Sequence, residues 1–344
     1  MGILSWRRKR RIGLALSGGG ARGFAHLGVV QALLDEGIVP HAISGTSAGS
    51  LVGALMAAGV SFEAIEKKVL DVGWTKLARP VIPPQRGLFT LAPVEKLLEE
   101  LLGDKRQFKD LPIPFACVAT DVDYDEAVVL KEGHLASAVR ASCSIPGVFV
   151  PVEREGRLLV DGGVMVNLPV QCLLDMGCDY VIAVDVLPGR VTPARPKGIF
   201  ELMMVTFYNL VRSASREAEL ANVVIVPDIR SYSFADFERR YELIDLGKRA
   251  AHAALDQIRF DLGLSRHPGL RTRLVGMLLD VRTWLSRHLL PSKSALRELP
   301  GRMGRSLWMI SSPSIKAPTA ALPPKAVDEP RAKKRSRAKA SERQ

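Results

Sequence analysis

The chain has 344 residues, of which 47% are hydrophobic and 24% are charged, and its formal net charge is +12. The hydrophobic content supports a buried core of the kind found in globular proteins. The positive charge lies at the ends: residues 12–264 carry 25 basic and 31 acidic residues, whereas residues 1–11 carry five basic residues and no acid. This distribution argues against a specific nucleic-acid-binding function for the body of the chain.

The cysteine pattern argues against a metal site, and the longest uncharged run does not look like a membrane-spanning helix. The four cysteines form no C-x-x-C pair, and no histidine stands at metal-ligand spacing from them, so we expect no metal site and reduced thiols in a cytoplasmic protein. The uncharged run Ala42–Phe62 is long enough to span a membrane, but it contains four glycines and four serines. We therefore predict a buried strand, a turn and a helix over this run.

The predicted elements alternate between strands and helices along the chain. Residues 11–16 are a predicted strand, 24–36 a predicted amphipathic helix, and Ala42–Ser44 a short strand that leads into a buried helix at Ala48–Ala58. The region 63–110 is predicted to be helical with a Pro-rich break at 80–84. Further strands are predicted at 114–120, 157–161, 180–186 and 223–229, and further helices at 134–142, 199–221 and 237–259. Short apolar strands that alternate with helices indicate an α/β fold with a mostly parallel sheet.

The stretch LALSGGGARGFAHLG contains the pattern G-x-G-x-x-G at Gly18, Gly20 and Gly23, between a predicted strand and a predicted helix. A dinucleotide site also requires an acidic residue about 20 positions further on, at the end of the second strand. Here the second strand runs into GTSAGS instead, and no G-K-[ST] follows the glycines as a P-loop would require. Nucleotide binding is therefore disfavoured.

The second strand ends in the pattern G-x-S-x-G, formed by Gly45, Ser47 and Gly49. In a nucleophile elbow, the serine occupies a sharp strand-to-helix turn, and small neighbours allow the strand and helix to approach closely. The alternative is that Ser47 only caps the following helix. The sequence pattern by itself leaves both interpretations open.

A nucleophilic serine needs a base and a site for the oxyanion. The backbone N–H groups of Gly19 and Gly20 are candidate oxyanion donors. Arg22 could add positive charge there, and the alternative is a solvated side chain or a salt bridge. Asp161 ends an apolar strand before Gly162 and Gly163, and we expect it at the same carboxyl edge of the sheet as Ser47. None of the six histidines lies in an evident catalytic turn. Asp161 is the candidate base, and the alternative is an ordinary turn aspartate before two glycines.

These motifs, taken in order, resemble those of a known family. G-G-G-x-R-G, G-x-S-x-G and D-G-G, together with VRASCSIPGVFVPV at 139–152, are similar to the patatin-like phospholipases, especially the small bacterial members related to neuropathy target esterase. The resemblance covers residues 12–187 and extends more loosely to about 260.

The resemblance implies a three-layer α/β/α fold and a Ser–Asp dyad without histidine. Ser47 would be the nucleophile, Asp161 the base, and the Gly18–Gly20 loop the oxyanion hole. It also implies hydrolysis of acyl esters of phospholipids or lysophospholipids without a cofactor. Two other functions stay open: a Ser–Asp–His hydrolase that uses His252, and a non-catalytic lipid-binding or regulatory protein on the same fold.

The sequence divides into four segments: a basic segment 1–11, a catalytic domain 12–264, a basic amphipathic helical extension 265–310, and a basic tail 311–344 that we expect to be disordered. Within the extension, residues 272–289 place apolar side chains on one helical face, as an interfacial helix does. We expect peripheral contact with an anionic membrane surface at the inner membrane face. The alternative is that this apolar face packs on the catalytic domain.

One acidic cluster could suggest calcium. It consists of Asp121, Asp123, Asp125 and Glu126, and it lacks the glycine and the distant glutamate of an EF-hand loop. A hairpin turn explains it equally well, and we predict activity that does not depend on a metal.

Overall fold

The computed structural model describes residues 10–70, 77–84, 86–187, 196, 198–214 and 217–265. The predicted extension 265–310 beyond its first residue, the predicted tail 311–344 and most of the basic segment 1–11 lie outside the described residues. Within the described ranges, every helix is too short or too polar to cross a membrane.

The elements alternate along the chain. The described strands are β1 (Ile12–Leu16), β2 (Ala42–Thr46), β3 (Arg79–Pro80), β4 (Gly87–Thr90), β5 (Phe115–Asp121), β6 (Glu126–Leu130), β7 (Gly147–Phe149), β8 (Val152–Arg154), β9 (Arg157–Asp161), β10 (Tyr180–Val184) and β11 (Val223–Ile225). The described α-helices are α1 (Phe24–Asp35), α2 (Ala48–Ala57), α3 (Phe62–Ile65), α4 (Ala92–Leu102), α5 (Leu135–Ser142), α6 (Val170–Asp175), α7 (Ile199–Ala214) and α8 (Arg240–Asp261).

Eight of the described strands form a central sheet in the order β11-β10-β1-β2-β5-β9-β8, with β6 also paired to β5. The five strands from β11 to β5 are parallel to one another. The pairs β5–β6, β5–β9 and β8–β9 are antiparallel. The mostly parallel α/β sheet that the sequence predicts is therefore confirmed, and its antiparallel part lies at one side.

Alternate residues of the central strands face two different helical layers. In β1, Ile12, Leu14 and Leu16 belong to a large core cluster that also contains buried residues of α1, α2 and α8. Ala15, between them, belongs to a smaller cluster on the other face of the sheet together with Leu173 of α6. A strand buried on both faces has no polar alternation, which is why β1 is wholly apolar.

The region 63–110 differs from its prediction. It contains helices α3 and α4, as expected, but between them β3 and β4 form a second, three-stranded sheet with β7. In α4, Val94, Leu98 and Leu102 are buried at helical spacing, so periodicity predicts this helix well. The small sheet was missed because its strands have two to four residues and β4 pairs with a strand that lies about 60 residues further on.

Candidate active site

Ser47 lies at the turn between β2 and α2. Its backbone has φ 51° and ψ −124°, a conformation that costs a non-glycine residue about 1–3 kcal/mol. Its side chain is almost fully buried, and although Ser47 is the N-cap residue of α2, its hydroxyl makes no capping hydrogen bond. The interpretation of Ser47 as a simple helix cap is therefore wrong, and the strained turn leaves the hydroxyl for another role.

Close backbone contacts explain why small residues surround this turn. A methyl group on Gly45 would lie 2.5 Å from the carbonyl oxygen of Gly49, and one on Gly49 would lie 2.2 Å from the carbonyl oxygen of Leu16. A methyl group on Gly23, at the end of the glycine loop, would lie 2.5 Å from Cβ of Ala48. Strand, helix and glycine loop therefore meet at distances that only glycine allows.

Two buried serines hold the Ser47 backbone in place. The N–H group of Ser47 donates to Oγ of Ser142 at 3.0 Å, and this Oγ donates to the carbonyl oxygen of Val118 at 2.6 Å. The hydroxyl of Ser50 donates to the carbonyl oxygen of Ser47 at 2.6 Å. Ser142 thus connects the strained turn to β5, a role that the sequence pattern does not reveal.

Asp161 ends β9, which approaches Ser47 from the opposite direction. Strands β2 and β9 pair with the same edge of β5, one parallel and one antiparallel, so their carboxyl ends meet head-on. Thr46, just before Ser47, pairs with Val118, and Asp161 pairs with Ala119, the next residue of β5. The predicted neighbourhood of Ser47 and Asp161 is present, but it arises from opposed strands and not from parallel ones.

The Asp161 carboxyl is almost completely buried. Its Oδ1 accepts a hydrogen bond from the N–H group of Gly163 at 2.8 Å, whereas its Oδ2 is buried without a hydrogen-bond partner among the described residues. Burial raises the pKa of Asp161 to about 7, while the nearby Ser47 hydroxyl and the Gly163 N–H group act to lower it. A carboxyl with this pKa is poised for proton transfer near neutral pH. Gly162 lets β9 end close to β5, because a methyl group there would lie 2.1 Å from the Val118 carbonyl oxygen.

The glycine loop offers two backbone donors rather than three. The N–H group of Gly18 donates to the carbonyl oxygen of Asn167 at 3.1 Å, so Gly18 does not fit the predicted role of an oxyanion donor in this structure. No hydrogen bond among the described residues uses the N–H groups of Gly19 or Gly20. Gly20 has φ +60° and lines the Ser47 cavity.

Arg22 is buried, and its Nε donates to the carbonyl oxygen of Tyr232 at 2.9 Å. Its neighbour Ala21 donates its N–H group to the carbonyl oxygen of Phe234 at 2.8 Å. Burial lowers the pKa of Arg22, and the side chain forms no ion pair within the described ranges. The alternative of a solvated or salt-bridged Arg22 is therefore not found there, and Arg22 joins the glycine loop to the segment that follows β11.

Ser47 lines a cavity of about 340 Å³ whose walls are mostly aliphatic and aromatic. Of the described residues that line it, Glu238 and Arg240 are charged. The others include Leu51, Leu77, Leu91, Val94, Ile145, Val148, Phe149, Met204, Phe234 and Phe237. A second apolar cavity of about 110 Å³ shares part of this wall and extends between α1, α2 and α4.

Two lining residues beside Ser47 were not singled out from the sequence. The Cys143 thiol lies 3.8 Å from Oγ of Ser50, and burial together with the Asp161 charge raises its pKa to about 12, so it stays protonated. Tyr208 of α7 brings its hydroxyl to the glycine loop, where a methyl group on Gly20 would lie 2.9 Å from it. Cys143 lies in the stretch 139–152, but that stretch does not indicate its place in the cavity, and Tyr208 belongs to no quoted pattern. Both residues reach the cavity through tertiary packing.

Other candidates from the sequence lie elsewhere. His252 is exposed on α8, and no histidine of the described chain lines the Ser47 cavity. The acidic cluster forms the predicted β5–β6 hairpin, in which Arg157 binds both Asp121, at 2.9 Å, and Glu126. The structure, and not the sequence, brings together Glu95 and Glu99 of α4 with His134, the N-cap residue of α5. Glu95 pairs with Arg140 at 2.7 Å, and Nδ1 of His134 accepts the Ser137 N–H group.

Residues 14–174 match the family model of the patatin-like phospholipases. The chain therefore carries a domain of the patatin-like phospholipase family, and the resemblance of its motifs is confirmed. This domain contains Ser47, Asp161 and the glycine loop.

Several known proteins are similar to part of this chain. An uncharacterised NTE family protein of Mycobacterium tuberculosis is 37% identical over 187 residues, which cover 54% of this chain and 51% of that protein. Patatin-like phospholipase domain-containing protein 6 of Mus musculus is 36% identical over 182 residues, which cover 51% of this chain and 13% of that protein. The crystal structure of VipD from Legionella pneumophila aligns with a TM-score of 0.44 and 18% identity, over 73% of this chain and 67% of that one. The chain thus spans about half the length, or less, of these curated relatives.

Proposed function

We propose that this chain is a serine esterase that hydrolyses acyl ester bonds of phospholipids or lysophospholipids. The observation that carries the proposal is the arrangement of Ser47, on a strained turn, beside the buried carboxyl of Asp161 at the wall of an apolar cavity. A nucleophile, a base with a pKa near 7 and an apolar binding volume are what ester hydrolysis of a lipid requires. The family of the domain supports the same reaction class.

In the acylation step, Oγ of Ser47 attacks the carbonyl carbon of the ester while its proton passes to Oδ2 of Asp161. Oδ2 has no other hydrogen-bond partner among the described residues, so it can accept this proton. The carbonyl oxygen gains negative charge, which the N–H groups of Gly19 and Gly20 stabilise. The tetrahedral intermediate then breaks down to an acyl-serine, and Asp161 returns its proton to the leaving alcohol.

In the deacylation step, a water molecule takes the place of the alcohol. Asp161 removes a proton from the water as it attacks the acyl carbon, and the same two N–H groups bind the second oxyanion. Collapse of this intermediate releases a fatty acid and gives the proton back to Oγ of Ser47. These steps use only side chains and backbone groups of this chain, together with water.

The cavity supports a lipid acyl chain as the substrate group. Its lining is almost entirely aliphatic and aromatic, and the adjoining apolar cavity between α1, α2 and α4 extends the volume away from Ser47. An alkyl chain gains about 0.8 kcal/mol for each methylene group that it buries in such a volume. Arg240 and Glu238, the charged lining residues, are suited to contact a polar head group.

Purified protein tests this proposal in two stages. Turnover of a short-chain nitrophenyl ester, lost in Ser47→Ala, would support an esterase, and profiling the products formed from mixed phospholipid vesicles would identify the lipid. Absence of turnover on every ester would support instead a non-catalytic lipid-binding protein. A His252→Ala variant with full activity is the expected result, because His252 is exposed on α8; its inactivity would support a triad with histidine.

A further inference from the structure

Helix α7 presents apolar side chains on two sides. Met204, Tyr208 and Val211 are buried, and Met204 and Tyr208 line the Ser47 cavity. On the other side Ile199, Leu202 and Leu210 are 80%, 54% and 64% exposed. These exposed residues recur at helical spacing, so they form one apolar stripe on the outside of the helix. A contiguous apolar surface of this kind is a candidate for an interaction surface.

The outer side of α7 also borders a groove of about 400 Å³, which we call the outer groove. Its lining consists of Ile145, Pro146, Val148, Leu202, Met203, Met204, Thr206, Phe207 and Leu210. None of these residues is charged, and Thr206 alone carries a hydroxyl group. Ile145, Val148 and Met204 line the Ser47 cavity as well. The apolar outer surface is therefore continuous with the wall of the candidate active site.

We infer that the outer groove and the exposed stripe of α7 form a surface that docks on a lipid bilayer; this inference rests on the proposed function. A lipid substrate reaches Ser47 from a bilayer, and α7 is the element that separates the active-site cavity from this apolar surface. Seating α7 in the interfacial layer would let an acyl chain pass from the bilayer to the cavity without crossing water. Protein partners are disfavoured, since their interfaces carry about ten hydrogen bonds and the outer groove offers one hydroxyl side chain.

The test uses the full chain with Ser47→Ala, so that binding is measured without hydrolysis. Sedimentation with phosphatidylcholine vesicles at high salt suppresses attraction between basic segments and lipid. Leu202→Asp places a charge in the stripe, and Ile199→Asp does so at the first residue of α7. Both acids lie in the first turn, where negative charge is compatible with the helix dipole, so that the helix is preserved. Val39→Asp is the matched control, because Val39 is 52% exposed and precedes β2, at the other end of the sheet from Ser47.

We expect Leu202→Asp and Ile199→Asp each to weaken vesicle binding by about tenfold or more, because a large aliphatic side chain no longer enters the apolar layer. Val39→Asp should bind as the parent does. Unchanged binding of both α7 variants, or no vesicle binding by the parent protein, would overturn the inference. A change in oligomeric state with unchanged vesicle binding would assign the surface to a second copy of the chain instead.

A second measurement separates this inference from the proposed function. With Ser47 intact, Leu202→Asp should hydrolyse a soluble nitrophenyl ester within about twofold of the unmodified protein, because Leu202 is not part of the catalytic machinery. Its hydrolysis of vesicle lipid should fall with its binding. If the unmodified protein hydrolyses no ester but loses vesicle binding on Leu202→Asp, the proposed reaction fails and the docking surface stands. If the unmodified protein hydrolyses esters but the α7 variants bind vesicles as well as it does, the docking surface fails and the proposed reaction stands.

Discussion

Ser47 and Asp161 come together because two strands that run in opposite directions end at neighbouring positions on the same edge of β5. Thr46 of β2 pairs with Val118, and Asp161 of β9 pairs with Ala119. The residue that follows Thr46 therefore meets the last residue of β9, although 114 positions separate the two in the chain. This geometry places the Ser47 hydroxyl near enough to the buried carboxyl to act on the pKa of Asp161.

The rate of ester hydrolysis should depend on the protonation of Asp161. Burial raises the pKa of this carboxyl to about 7, and only the ionised form can accept the Ser47 proton. We expect kcat/KM for a neutral ester to rise about tenfold per pH unit below pH 7 and to level off above it. A profile that stays flat between about pH 5 and 8, in protein shown to remain folded, would contradict this role.

The hydroxyl of Ser142 should matter for catalysis although it does not face the substrate. It accepts the Ser47 N–H group and donates to the Val118 carbonyl oxygen, so Ser142→Ala leaves a buried N–H group without its partner. The lost hydrogen bond costs about 1–2 kcal/mol of stabilisation at the strained turn that positions Ser47. If this raises the activation free energy by the same amount, kcat falls roughly tenfold with little change in KM. Ser144→Ala is the control, because its equally buried hydroxyl bonds to the carbonyl oxygen of Arg140. Equal effects of both substitutions would contradict a specific role for Ser142.

The buried imidazole of His26 should make the protein less stable in mild acid. Its Nε2 lies 2.8 Å from the Ser17 carbonyl oxygen, and burial lowers its pKa to about 4. As the pH falls below about 6.5, His26 becomes protonated in the unfolded chain but stays neutral in the folded protein. The free energy of unfolding therefore decreases until about pH 4. Between pH 7 and 5 the free energy of unfolding of the unmodified protein should fall by about 2 kcal/mol more than that of the His26→Gln variant. Urea unfolding of both proteins at the two pH values measures this difference, and parallel losses would exclude His26 as its source.

Treatment with a chelator should leave ester hydrolysis unchanged. The acidic groups at the β5–β6 hairpin are held by protein partners: Arg157 binds Asp121 and Glu126, and Oδ1 of Asp121 accepts the Asp123 N–H group at 2.9 Å. The measurement compares nitrophenyl ester turnover before and after EDTA. Loss of activity that calcium restores would contradict the prediction.

The local features of the site could be predicted from the sequence, since they depend on neighbouring residues. The glycines around Ser47 indicate a sharp turn, and the apolar strand before Asp161 places that residue at a strand end. Features that depend on distant pairing could not be predicted. The antiparallel approach of β9 and the use of the Gly18 N–H group by Asn167 both depend on such contacts.

The same distinction explains the missed elements and supporting residues. Ser142 and Tyr208 reach the candidate site from α5 and α7. Ser142 lies in the stretch 139–152, but that stretch does not indicate its bond to the Ser47 N–H group, and Tyr208 belongs to no quoted pattern. The strand β4 pairs with β7, and neither is long enough to show a periodic pattern.

The activity of Asp161→Asn tests the central claim most directly, because the substitution keeps the shape of the side chain and removes its basicity. Asp185→Asn is a matched control: Asp185 follows β10, is partly buried, and accepts the N–H group two residues on at 2.8 Å, as Asp161 does. We expect Asp161→Asn and Ser47→Ala each to lower kcat by about a thousandfold or more, and the double variant to be no worse, because members of one catalytic unit are not additive. Asp185→Asn should stay active. A folded Asp161→Asn protein that retains more than about a few per cent of the activity would contradict the Ser47–Asp161 mechanism.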